Sequence, residues 1–149
     1  MPTEFDSDLA RLRGELTDTR SEFMAAVASI SDDQLDVARR GGWSIGRVLE
    51  HVITSEEGYA RVVAHLKGTQ ITEPSPNGLP SSVEDAKTKL LSARDTLLRA
   101  LDGVNEDAFY ALQYLGKEEY SIVSVLENVV SHDHEHSVQL LTTLQQTAS

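Results

Sequence analysis

The chain has no cysteine among its 149 residues. Disulfides, thiolate metal ligands and a cysteine nucleophile are therefore excluded. Positive charge is scarce: 13 Lys and Arg stand against 24 Asp and Glu, for a net charge of −11. Only Arg39 and Arg40 are adjacent. Nucleic-acid binding needs clustered cations to meet phosphates, and an anionic membrane surface repels such a chain, so neither is an expected partner. No apolar run approaches the roughly 20 residues that cross a bilayer. The start, Met1-Pro2-Thr3-Glu4-Phe5-Asp6, is acidic and lacks the basic and apolar regions of a secretion signal. The expected location is the cytoplasm.

Other signatures are missing too. There is no phosphate-binding glycine-rich loop before a helix, no Gly-x-Ser-x-Gly elbow and no His-Glu-x-x-His motif. The Glu-x-x-His pairs of a di-iron bundle are absent from the second and fourth helical segments. No segment alternates with a two-residue period, so strands are not expected.

What the chain does carry is helical periodicity, in four long segments. Leu9, Leu12, Leu16, Phe23, Val27 and Ile30 mark the first. Ser31-Asp32-Asp33-Gln34 resembles a capping box opening a short helical turn. Gly41-Gly42 breaks the chain before Trp43-Ser44, where Ser44 is a good N-cap and Trp43 with Val48 fits a hydrophobic staple. Ile45, Val48, Leu49, Val52, Tyr59, Val63 and Leu66 line the second helix. Gly68 to Pro80, with Pro74, Pro76, Asn77 and Gly78, is the long connection. A capping signal at Ser81-Ser82 opens the third helix, whose apolar face is Leu90, Ala93, Leu97, Leu101 and Val104. Residues 103–120 read as loop with short helical turns. The fourth helix runs from near Ser121 to about Gln145, with Ile122, Val125, Leu126, Val129, Leu140 and Leu144 inward. The fold class is all-α: a four-helix bundle over residues 1–149 as a single domain, with its long loop between helices two and three.

The chain also echoes itself. Residues 43–53 align with residues 120–130 at an offset of 77, identical at six of eleven positions. Either two helices share capping and core needs, or a helical hairpin was duplicated. Duplication places helices two and four in related positions.

The chemistry sits in His132-Asp133-His134-Glu135-His136. His132 and His136 are four residues apart, so they stack on one helix face, and they continue the apolar row of Ile122, Val125 and Val129. A buried imidazole needs a hydrogen-bond partner or a metal. One inward histidine is most often a bonded core residue, whereas a stacked pair favours a metal. His51, flanking the helix-two stripe, completes a three-imidazole set if helices two and four touch. Such a set suits zinc, nickel, copper or ferrous iron and leaves a coordination position open. His134 points about 200° away from His132 and is expected in solvent or at an interface, and His65 is expected to be bland. Glu56 interrupts the apolar stripe of helix two. It reads as a general base or an acceptor for a ligand N–H, or else as a partner for an inward Arg or Tyr. Glu57, Asp133 and Glu135 are expected in solvent, with Asp133 near enough to orient a ligand.

Gly42-Trp43-Ser44, Val48-Leu49-Glu50-His51-Val52 and His132-Asp133-x-x-His136-x-x-Gln139-Leu140 together resemble the DinB/YfiT-like superfamily of metal-dependent enzymes, over nearly the whole chain. The resemblance implies an up-down-down-up bundle, often dimeric, with a divalent metal held by His51, His132 and His136. It also implies a small-molecule substrate. Some relatives resemble S-transferases that use mycothiol, bacillithiol or glutathione, and others resemble isomerases or hydrolases. The expected function is a zinc-, nickel- or iron-dependent enzyme that adds a low-molecular-weight thiol to an electrophile, with Glu56 accepting a proton. The rivals are a metal-dependent hydrolase and a non-catalytic bundle that binds metal or a partner helix. Arg47, four residues before His51, is a candidate partner for the carboxylates of an anionic thiol, or a plain surface arginine.

Overall fold

A computed structural model describes residues 2–69 and 78–147. Four long helices carry the chain: α1 (Glu4–Ala28), α2 (Ile45–Lys67), α3 (Val83–Leu101) and α5 (Ile122–Thr147). A short helix, α4 (Glu106–Tyr110), and a small hairpin fill the link before α5. Each long helix that opens with a hydroxyl cap does so by the same physics. A side-chain oxygen accepts one of the first amides, which have no partner inside the helix. Ser44 accepts from the Arg47 amide, Ser82 from the Asp85 amide, and Thr3 with Asp6 closes a capping box on α1. The 3₁₀ turn at Asp32–Gln34 has the predicted Ser31–Gln34 bond, 2.9 Å long.

Two apolar clusters show how the helices run. One joins Leu12 and Leu16 of α1 with Val63 and Leu66 of α2, Leu97 and Leu101 of α3, and Ile122 and Leu126 of α5. The other joins Phe23 and Val27 with Ile45 and Leu49, Ala86 and Leu90, and Leu140. The start of α1 therefore lies beside the ends of α2 and α3 and the start of α5. The direction is up-down-down-up, and α2 packs on both α3 and α5. Because α2 and α3 run the same way, the end of α2 and the start of α3 lie at opposite ends of the bundle, a separation that calls for a long connection. Its central residues, with Pro74, Pro76 and Asn77, lie outside the described residues.

Contrary to expectation, strands are present. Residues 113–120 form an antiparallel hairpin, Gln113–Leu115 with Glu118–Tyr120, turning at Gly116-Lys117. Strands of three residues are too short to show an alternation, so this pairing left no periodic signal. No helix among the described residues is long and apolar enough to cross a membrane.

Candidate metal centre

His51 of α2 and His132 and His136 of α5 converge at the interface of those two helices. Their ligand atoms all lie within 4.8 Å of one another. The Nε2 atom of His132 is 3.0 Å from Nε2 of His51 and 3.0 Å from Nε2 of His136. Those spacings compare with the roughly 3.3 Å edge of a tetrahedron built on zinc–imidazole bonds of about 2.0–2.1 Å. The donor set, three imidazoles aimed at one point, fits a divalent transition metal.

The protein also presents these nitrogens in the right protonation state. His136 donates from Nδ1 to the Gln139 side-chain oxygen at 2.5 Å, which leaves its Nε2 lone pair facing the other two rings. Burial pushes His132 down to about 4, with the neighbouring His136 and His51 adding to the effect. His51 is lowered as well, first by burial and then by His136 and Arg47. Both rings are therefore neutral near pH 7, as metal ligation requires. Aromatic rings frame the cluster. Trp43 meets His51 edge-on at 5.0 Å, and Tyr59 meets His132 at 6.0 Å. Trp43 is 41% exposed, and the Arg47 guanidinium lies 5.1 Å from its ring centre. Trp43 thus forms a wall beside His51. Arg47 itself is surface-exposed and paired with Glu50.

Behind the histidines lies a second cluster that the sequence reading did not anticipate. Arg20 of α1, Glu56 of α2, Arg94 of α3 and Asp133 of α5 meet in the bundle interior, one from each long helix. Arg94 donates to Glu56 at 2.9 and 3.0 Å and to Asp133 at 2.8 Å. Arg20 donates to both Asp133 oxygens, at 3.3 and 3.0 Å, and also pairs with Glu56. One Nη1 proton of each arginine reaches a backbone carbonyl, that of Leu90 from Arg20 and that of Leu16 from Arg94. Two positive and two negative groups balance, and among the described residues no buried side-chain polar atom lacks a partner. Burial alone would lower the pKa of Arg94, but Glu56 and Asp133 more than offset it and hold the group above its ordinary value.

Two expectations change as a result. Asp133 is 1% exposed, not solvated: it is the α5 anchor of this cluster. Glu56 is 2% exposed, and both of its oxygens are engaged by guanidinium groups. Of the readings open to Glu56, partnership with inward arginines is the one this geometry displays. The available signal lay in Arg20 and Arg94, which interrupt the apolar rows of α1 and α3. His134 lies on the surface, 3.1 Å from Glu22, and outside the cluster. His65 lines a cavity of about 520 Å³ with Tyr59 and Leu115.

This bundle with a histidine cluster between its second and last long helices defines a class. The chain belongs to the DinB superfamily, whose family model matches residues 15–140. Solved structures share the fold. YfiT from Bacillus subtilis, described as a probable metal-dependent hydrolase with an unusual four-helix bundle topology, superposes with a TM-score of 0.72 at 20% identity. That alignment covers 99% of this chain and 91% of YfiT. TT2238, described as a four-helix bundle protein, gives a TM-score of 0.70 at 22% identity, covering 89% of this chain and 98% of its own. No protein of curated function matches.

Proposed function

We propose that the chain is a divalent-metal-dependent enzyme acting on a small electrophilic molecule. His51, His132 and His136 are its ligands. The observation that carries this reading is the convergence of three ring nitrogens within 4.8 Å at a helix interface. When bound, the metal supplies an open position at which a thiol or a water loses its proton near neutral pH. The chain's own residues do the rest. Burial keeps His51 and His132 neutral, and the Gln139 oxygen fixes the His136 ring. The Arg20–Glu56–Arg94–Asp133 cluster anchors the α5 turn that carries His132. Glu56 is accordingly a positioning residue in this proposal, not the general base.

For the nucleophile we favour a low-molecular-weight thiol, of the mycothiol, bacillithiol or glutathione type, which gives its S–H proton to solvent while its sulfur bonds an electrophilic carbon, as a π bond at that carbon opens or its leaving group departs with the bonding electron pair. Water in the same role makes the chain a hydrolase, and the fold shared with YfiT favours that second reading.

The test is metal content by elemental analysis of untagged protein after incubation with zinc, nickel or iron. About one ion per chain is expected, lost in His51→Ala, His132→Ala and His136→Ala but kept in His134→Ala. Full occupancy in all three ligand variants would sink the assignment. Failure of the parent protein to take up any of the ions would reduce the three histidines to core residues.

A further inference from the structure

Two cavities adjoin the histidine cluster on its Trp43 side. One, of about 490 Å³, is lined by Gly41, Gly42, Trp43, Glu135, His136 and Gln139. The other, of about 260 Å³, shares Gly41, Gly42, Trp43 and Gln139 with it and adds Arg39, Arg40 and Thr143. The shared residues make one depression with two ends. At the inner end stands the buried His136, and the outer end is lined by the exposed Arg39 and Arg40. The outer end is the sole place in the sequence where two basic residues are adjacent, in a chain of net charge −11.

The segment that carries these arginines is held in shape. The Gly42 amide donates to the Arg39 carbonyl at 2.8 Å, closing a turn in which Gly41 has φ +76, a conformation that side chains with a Cβ rarely adopt. Ala38 bridges Ser44 across the loop. The amides of Ile45 and Gly46 reach back to the carbonyls of Val37 and Leu35 at 2.9 and 2.8 Å. A Cβ on Gly46 would come within 3.2 Å of the Leu35 oxygen, so the close approach depends on glycine. The loop is thus pinned to the start of α2 at its base. Among the described residues neither Arg39 nor Arg40 has an ion-pair partner, whereas Arg47 nearby is paired with Glu50. Guanidinium groups without a carboxylate, on a constrained loop facing a cavity, are suited to bidentate recognition of an oxyanion. Glu135 lies on the His136 end, where it repels an anion, so the charge asymmetry orients a ligand one way round.

We infer that the Arg39–Trp43 loop is a recognition subsite for the anionic end of the small molecule, a carboxylate or phosphate. The molecule's uncharged reacting end is thereby directed towards His136. This rests on the proposed metal-dependent activity for its purpose, but binding at the arginines is a separate event.

Trp43 is the chain's single tryptophan and lines both cavities, so its fluorescence reports occupancy. The experiment titrates the protein with glutarate, methyl phosphate and uncharged glutaramide at constant ionic strength, with and without a chelator. A saturable change is expected with glutarate or methyl phosphate but not with glutaramide, and the responding probe tells which oxyanion is taken. The Arg39→Ala/Arg40→Ala double variant should weaken binding about tenfold or more, because charged hydrogen bonds are lost. Arg99→Ala, remote on α3, should leave it unchanged, and circular dichroism checks that both variants are folded. Arginine-dependent binding that survives chelation supports the subsite whatever the metal content proves to be. No saturable response to either anion, equal response to glutaramide, or an unaltered curve in the double variant would overturn it.

Discussion

Arg94 of α3 donates to Asp133 of α5 at 2.8 Å, and Asp133 is the residue that directly follows His132. A cluster that ties four helices together is therefore built into the same helical turn as a candidate metal ligand. Removing one member leaves a buried charge without its partner.

Arg94→Ala is accordingly expected to cost about 3–5 kcal/mol of stability, since an uncompensated charge would remain in the interior. Arg94→Lys should recover little of it, because an ammonium cannot reproduce the forked contacts to Glu56, Asp133 and the Leu16 carbonyl. Urea denaturation of the metal-free proteins measures both. Wild-type stability in Arg94→Lys would show that charge alone, without the fork geometry, is sufficient.

Metal removal should leave the bundle folded. Both apolar clusters form without help from the histidines, so the core does not depend on the ion. Chelated protein is expected to keep its helical circular dichroism and to melt cooperatively at a lower temperature than the loaded form. Loss of helix on chelation would point instead to a structural site, one that supplies folding energy outright.

Gln139 should matter to the site without touching the metal. Its oxygen accepts from Nδ1 of His136 and so fixes the ring's tautomer and orientation. Gln139→Ala is expected to weaken metal affinity about 10- to 100-fold with little change in apo-protein stability. A competition titration against a chromophoric chelator gives the affinity. Unchanged affinity would show that the ring is oriented by packing alone.

Tyr110 provides a pH test of the packing of α4 on α1. Its hydroxyl donates to Asp8 at 2.6 Å, and that bond, with some desolvation and the Asp8 charge, pushes it up to about 12. A raised folded-state pKa favours the protonated form. Its stabilising contribution is present below pH 10, the ordinary tyrosine value, and is lost as pH rises through about 12. Ultraviolet titration of tyrosinate, compared with Tyr110→Phe, should show one tyrosine ionising near that upper value, and Asp8→Asn should bring it down. An ordinary midpoint for Tyr110 would mean that the bond to Asp8 does not persist in solution.

Much of this protein follows from local pattern. The recurrence of Leu12, Leu16 and Phe23, or of Val125 and Val129, sets which face of a helix is apolar, because a helix repeats every 3.6 residues whatever surrounds it. The same period stacks His132 on His136, and Ser44 and Ser82 cap their helices through bonds that span three residues. These features need no partner helix, so the sequence determines them. The Arg20–Glu56–Arg94–Asp133 cluster is different. Arg20, Glu56 and Arg94 interrupt apolar rows, which marks them as unusual, but only the packing of four helices brings Asp133 inside and decides which charge meets which. The same holds for His51, which joins its two partners only because α2 packs against α5, and for Arg39 and Arg40, which a pinned loop carries to the rim of the cavity beside His136. The hairpin at residues 113–120 lies between these cases: its strands are too short to leave a periodic signal, and pairing across the chain establishes them. Sequence fixes the faces of the helices because that information is local, and tertiary structure assigns the partners because a buried charge or an imidazole is settled only by what lies across the interface.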